Sequence, residues 1–492
     1  MRDLPAYGAG VTSPRPDGPG RPTRPARRDL RGRRDLYAAA VAALLVVAAV
    51  LVGRTVFTYD DLIVGWPPLL GRWDPHLGPG TPAAVLVAVA TVAYGPAVAA
   101  RLPWRALLCA SWGTAMAWIW SLALVDGWHR GVAGRLTTRQ EYLSVIGRWH
   151  DVPATLRDFT GHILLHSPDN WPAHVAGHPP AATLTYVLLD RVGLGGGGWA
   201  GAWTITVGST ACVAVLVAVR VLAGERLARR AAPFLVLAPA AVWLGTSADA
   251  YFAAVAAWAV ALLALAVTGR SLWWAACSGL LFGLTCYLSY GLTLFAVIAA
   301  AVLLLGRRGV LERPVLLVPL LAGFAVVPVA FTVAGFDWWE AYHLLVTRYY
   351  EGAGGVRPYG YWVWANLACT VLITGLATAA GLRRTAGRLW ARRPGRPATT
   401  GDSEDSGDTG DTGDTSEDPR EDTRLAFLVA AGLLAVLAAD LSGMSKAETE
   451  RIWLPFALWL LPACAFLTRP RGWLTAQAVL ALLLNHLLAT GW

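Results

Sequence analysis

Apolar runs of about 17–22 residues recur along the whole chain, each long enough to cross a hydrocarbon core. They fall near 36–53, 82–100, 105–125, 200–222, 231–247, 250–268, 272–289, 291–305, 315–335, 361–381, 425–441, 452–468 and 472–490. Backbone groups in lipid must be satisfied within the segment, so these runs predict helices rather than strands. The pattern therefore predicts an all-α polytopic membrane protein of about thirteen transmembrane helices. One further apolar run, 179–193, opens on Pro179-Pro180, contains Asp190-Arg191 and is short. It predicts a juxtamembrane or re-entrant helix inside a long outer loop.

Charge fixes the orientation of this pattern. The chain has 492 residues, of which 15% are charged and 55% hydrophobic, and a formal charge of +9. That excess does not point to nucleic acid, because the basic residues sit in short loops between spans, where they set topology. With the N-terminus inside, the loops expected on the cytoplasmic side are 101–105, 224–230, 268–270, 307–313, 383–396 and 468–471, and each carries Arg. If 179–193 crossed, Arg226, Arg229 and Arg230 would move outside, so the charge pattern also selects the non-crossing reading. The expected location is the cell (plasma) membrane, multi-pass, with the N-terminus cytoplasmic and the C-terminus outside.

The chain divides accordingly. Residues 1–35, rich in Pro, Gly and Arg, read as a disordered basic cytoplasmic tail, followed by a retained signal anchor. Residues 36–104 hold two N-terminal spans with an outer loop. Residues 105–396 form the main transmembrane core. Residues 397–423, with Gly-Asp-Thr repeats and many acids, read as a low-complexity cytoplasmic linker, and 424–492 as the C-terminal transmembrane helices. The six cysteines all lie in apolar runs without a CxxC pair, which predicts neither a disulfide nor a cysteine metal site.

The polar chemistry gathers in the outer segments 126–199, 336–360 and 442–451. His76, His129, His150, His162, His166, His174, His178 and His343 all fall in outer loops. Trp and Tyr are frequent there. An interfacial belt accounts for single rings, and stacking on sugar faces is the sharper reading. Asp126 sits where the third span emerges, and Asp249 at a tight outer turn. A carboxylate at an apolar boundary is costly unless it is paired or used, although Asp249, with Ser247, also suits a helix cap. His174 and His178 share helical spacing, but Pro179 follows and no zinc frame accompanies them, so a zinc site is a weak reading. Lys446, the only lysine, and Arg451 stand at a span entrance. There they suit a lipid phosphate, or pairing with Glu448 and Glu450 on the same turn.

Taken in order, these segments resemble the GT-C superfamily of polyprenyl-phosphate-sugar-dependent glycosyltransferases. The likeness is greatest to the protein O-mannosyltransferase and aminoarabinose-transferase branch, and to a bacterial branch with the same outer motifs. The features that carry it are an acid opening a long outer loop (Asp126), a loop ending in Gly177-His178-Pro179-Pro180, a second outer acid (Asp249), and the run Arg451-Ile-Trp-Leu-Pro455. It spans about 105–470, and each motif alone is short. In one departure, the family acid usually follows the first span, which makes Asp60 and Asp61 rivals to Asp126.

The resemblance implies a GT-C-like fold that moves a sugar from a polyprenyl-phosphate donor to a glycan, lipid or protein acceptor of the cell envelope. In it Asp126 is the general base, and Asp249 orients the acceptor or a divalent ion (Mg or Mn) where one is used. His129, His174 and His178 belong to the acceptor or loop site, and Lys446 and Arg451 to the donor phosphate. The implied partners are the lipid-linked sugar, the acceptor and membrane lipids, with no nucleic acid. The alternatives are a polytopic transporter or lipid flippase, against which the nearly charge-free span interiors count, and a non-catalytic subunit of an envelope-glycan assembly complex.

Overall fold

The computed structural model describes residues 24–390 and 418–491, with side chains described from residue 32. Most of the expected basic tail, and 397–417 of the expected acidic linker, lie outside the described residues. The protein is a multi-pass membrane protein and is all-α, apart from a two-stranded antiparallel ribbon that pairs Gly71–Trp73 with Leu488–Thr490.

Among the described residues, seven helices are long and apolar enough to cross a membrane. They are Gly32–Thr55, Thr81–Arg101, Trp104–Asp126, Gly197–Ala223, Ala248–Gly269, Pro314–Val333 and Pro419–Leu441. An eighth is reached if Tyr359–Thr374 and Leu376–Trp390, bent by 106° at Gly375, count as one. The expected thirteen is therefore too high, and each failure has a local cause.

The run 231–247 is interrupted. The helix Glu225–Val236 stops, Ala238 is extended ahead of Pro239, and a short 3-10 turn follows at Pro239–Val242. The run 452–468 is cut by Pro455 and Pro462 into the pieces Thr449–Ile452, Leu454–Ala457 and Leu461–Phe466. Its residues are buried throughout from Trp453 to Leu467, so its apolarity serves the protein core rather than lipid. Leu272–Leu288 and Tyr290–Leu305 are separated by the extended Ser289. The longer of the two, at 17 residues, rises only about 26 Å against a core of about 30 Å. The run 472–490 forms the helix Pro470–Leu487, carries buried Gln477 and Asn485, and ends in the ribbon. The 179–193 run is the 11-residue helix Ala181–Arg191, about 16 Å long, too short to cross.

Packing ranks the helices. Ala248–Gly269 is the central one, buried along most of its length, because its many alanines let neighbours approach closely. Pro314–Val333 lies at the edge, almost wholly exposed, and holds to Leu272–Leu288 through glycines: a Cβ on Gly279 would collide with the Leu320 carbonyl. Leu86, Val89, Leu321 and Val333 are exposed apolar side chains of this periphery, as expected of surface facing lipid.

The Arg-bearing loops expected on one side do meet in space. Asp35 accepts from Arg383 Nε at 3.0 Å and from Arg384 Nε at 2.9 Å. Asp422 accepts from Arg226 Nη2 and Arg388 Nε, each at 2.8 Å. Arg229 donates to the carbonyls of Ala99 and Leu102, and Arg230 to that of Leu467. The segments expected outside gather around the ribbon, which sets Leu488–Thr490 beside the loop between the first two spans.

Candidate functional site

Two polar clusters lie among these segments. The first is built around Asp126, which a one-turn 3-10 helix, Leu124–Asp126, presents at the end of the third span. Its Oδ1 accepts from Arg130 Nε at 2.6 Å, one helical turn on, and lies 3.2 Å from His76 Nε2. Arg135 stands 3.6 Å from Oδ2. Arg130 also reaches Asp74 at 3.3 Å, and Asp74 pairs with Arg72 at 3.2 Å. The end of the chain straps this cluster. His76 N–H donates to the His486 carbonyl at 2.8 Å, and Arg135 Nη1 to the Thr490 carbonyl at 2.9 Å. The Asp126 side chain is only 10% exposed, whereas Arg130 is 42% exposed and Arg72 76%. The cluster thus has a sealed acid and an open basic rim.

The second cluster is more deeply buried, with Glu448 its most exposed member at 22%. Asp249 opens the central helix, with Ser247 capping it: Asp249 N–H donates to Ser247 Oγ at 3.3 Å, and that hydroxyl donates to Asp249 Oδ2 at 3.0 Å. Oδ2 also accepts from Arg451 Nη1 at 2.7 Å. Arg451 Nη2 donates to Glu448 Oε2 at 3.2 Å and to His174 Nε2 at 3.1 Å, while His174 Nδ1–H donates to Glu141 Oε1 at 2.8 Å. Arg357 donates to Glu448 Oε1 and to the carbonyls of Leu62, Ile63 and Lys446. Three carboxylates (Glu141, Asp249, Glu448) therefore face two guanidiniums, with His174 between them.

The electrostatics follow from this arrangement. Burial works to raise the Glu448 carboxyl, but Arg451 and Arg357 hold it below its ordinary range. Burial likewise opposes the charge on Arg451, and Asp249, Glu448 and Glu141 more than offset it, so its pKa rises. His178 is pushed by burial down to about 4. It is thus a neutral imidazole at pH 7 whose Nδ1–H donates to the His174 carbonyl at 2.8 Å, with the Tyr142 hydroxyl 3.1 Å away.

The structure joins Asp249, His174, Arg451 and, against His174, His178. It does not join Asp126 to that set directly. The contacts between the clusters run through Thr246, whose hydroxyl donates to the Gly131 carbonyl at 3.1 Å, and through Glu450, which accepts from Leu70 N–H at 2.9 Å. Lys446 is buried beside the second cluster, its Nζ donating to the Gly354 carbonyl at 2.7 Å and facing the Tyr350 ring. His129 is exposed at the start of a short π-helical turn. Asp60 and Asp61 are exposed on the one-turn helix Tyr59–Leu62, where Asp61 forms a reciprocal cap with Thr58.

Several members carry no sequence signal of their own. Glu141, Arg357 and Asp74 stand in no motif. Arg130 is the legible one, because it is four residues after Asp126. A resident divalent ion does not fit these groups. Among the described residues no three His, Cys, Asp or Glu side chains form a metal-holding set, and each acid faces guanidinium groups that would repel a dication. Compared with protein-family models and with curated proteins, the chain matches none.

Proposed function

We propose that this chain is a membrane glycosyltransferase of GT-C type, moving a sugar from a polyprenyl-phosphate donor to a cell-envelope acceptor at the end that bears Asp126. The observation that carries the reading is an acid at the mouth of an apolar span, shielded itself but ringed by Arg130, Arg135 and His76. In the proposed reaction the acceptor oxygen bonds to the anomeric carbon, and its proton passes to Asp126. The bond from that carbon to the phosphate oxygen breaks, and the electron pair leaves with the phosphate. The growing negative charge is met by the exposed Arg130. Lys446 and Arg451 are buried and held by protein partners, so in this reading the phosphate role passes to the exposed Arg130. The Asp249 cluster supports the loop 126–199 from beneath. The Arg-rich end would face the cytoplasm and the ribbon end the outside, in keeping with the charge pattern.

Asp126→Asn should abolish transfer from a polyprenyl-phosphate sugar in membranes while the size-exclusion profile stays that of the wild type. Retained transfer sinks the assignment of the base, and loss in Asp60→Asn or Asp61→Asn instead moves the site to the first loop. Mass spectrometry of envelope glycans with and without the protein would name the sugar and acceptor.

One observation favours the transporter reading: the apolar pair Tyr359–Thr374 and Leu376–Trp390 breaks by 106°, and Gln477 caps the Thr374 carbonyl at 3.0 Å. Broken helices of this kind line transport paths. Uptake of a labelled solute into vesicles with no new glycosidic product would support it over transfer.

A further inference from the structure

One buried carboxyl clasps the two outer clusters together. The turn Thr449–Ile452 carries Arg451 to Asp249, and the residues that follow the strand Gly71–Trp73 carry His76 to Asp126 and Asp74 to Arg130. Glu450 joins them, its Oε1 accepting from Leu70 N–H at 2.9 Å. Leu70 itself packs on the apolar cluster of Leu62, Val64, Tyr361 and Trp362. Glu450 is fully buried, and among the described residues its Oε2 has no hydrogen-bond partner.

An ionised carboxylate with one bare oxygen in such a place is heavily penalised. The neutral acid is penalised far less, because an unpaired O–H at Oε2 costs less than a buried charge and Oε1 still accepts from Leu70. The charged groups around it do not reverse this. Glu448, on its own turn, opposes ionisation, while Arg451 favours it less strongly. From Tyr359–Thr374, Cys369 faces it, and Asp440 at the end of Pro419–Leu441 acts on that same thiol. Burial pushes the Glu450 carboxyl up to about 7, so the acid and its anion exchange within the physiological range.

We propose that Glu450 is a proton-binding site, and that loss of its proton unclasps the segment 66–70, which leads into the strand Gly71–Trp73, from the 449–452 turn. In the anion, the cost of burial and repulsion from Glu448 outweigh the stronger bonds from the Leu70 and Glu450 N–H groups and draw the carboxylate out toward water. The segment 66–70 is then released, while the ribbon and the bonds to Leu487 and His486 still hold Asp74 and His76. The clasp is closed on the acid side of the transition and open on the alkaline side.

Hydrogen exchange at the amides of 66–70 tests this in the full-length protein in lipid nanodiscs, from about pH 5.5 to about pH 8.5, with each rate divided by its intrinsic rate at that pH. Protection should fall about tenfold as pH rises through the transition. Glu450→Gln keeps an uncharged acceptor, so its protection should stay constant. Glu448→Gln removes a charge that opposes ionisation, so its midpoint should move to lower pH. This second variant keeps the test open if Glu450→Gln does not assemble. Flat protection in the wild type, the same transition in Glu450→Gln, or an unmoved midpoint in Glu448→Gln would each overturn the proposal.

Discussion

The Asp249–Arg451 pair should be the most sensitive contact of the outer end. Both side chains are 6% exposed and 2.7 Å apart. Arg451→Met fills similar volume but leaves Asp249 and Glu448 facing each other across a site with only Arg357 to balance them, and it removes the donor to His174 Nε2. Breaking a buried pair from one side costs about 3–5 kcal/mol, and the additional carboxylate puts this variant toward the top of that range. Asp249→Asn alone should cost less, since Ser247 and Glu448 still engage the site. The double variant should be less damaging than the two singles added, because the uncompensated charge disappears with its partner. We expect a coupling of about 2 kcal/mol. The assay is thermal unfolding of the four proteins in one detergent at pH 7, with the exposed pair Arg270–Glu312 as a near-neutral reference. If Arg451→Met is no more harmful than Arg270→Met, or if the two singles simply add, the buried-lock account is wrong.

Other consequences are as direct. Gly375 has φ +83° and ψ 160°, a region essentially reserved for glycine, so Gly375→Ala should cost about 1–3 kcal/mol. A thermal midpoint equal to that of the wild type would show that the bend does not need glycine. Asp35 is buried and receives two guanidiniums, so Asp35→Asn should destabilise by about 3 kcal/mol and speed proteolysis near Arg383 and Arg384. His178 binds its proton less readily folded than unfolded. Its contribution is therefore complete above its ordinary pKa of 6.5 and is lost as pH falls toward about 4. A thermal-midpoint profile of His178→Gln should be flatter than that of the wild type over that acid window, and an unchanged slope would remove His178 as its cause.

What can be read from the sequence is the part encoded in single residues and local spacing. Apolar length locates the seven long helices, and the placement of charge near their ends gathers Asp35, Arg226, Arg383 and Asp422 at one end. The count goes wrong where apolarity has a different cause. Trp453 to Leu467 is apolar because it is buried in protein, and hydropathy does not distinguish that from lipid. The breakers are nonetheless visible as Pro239, Pro455, Pro462 and Gly375. At the site, Asp126 with Arg130 is within reach of helical spacing, but Asp249 with Arg451 joins positions 202 residues apart. Glu141 reaches His174 only through the folding of the outer loop. No local pattern reports either contact.

The two clusters also differ in what they can give to a ligand. For Arg451 to turn toward a phosphate it must leave Asp249 and Glu448 behind, a loss of about 3–5 kcal/mol. A hydrogen bond to a charged group returns only about 1.5–3 kcal/mol. The exchange is unfavourable unless the acids are neutralised at the same moment. Arg130 is 42% exposed, and its contact with the partly exposed Asp74 is of the surface kind, worth about 0–1 kcal/mol, so it can turn that nitrogen to a phosphate at a net gain while its Nε stays on Asp126. The buried arginine therefore serves the architecture, and the anionic donor of the proposed reaction would meet the exposed one beside Asp126.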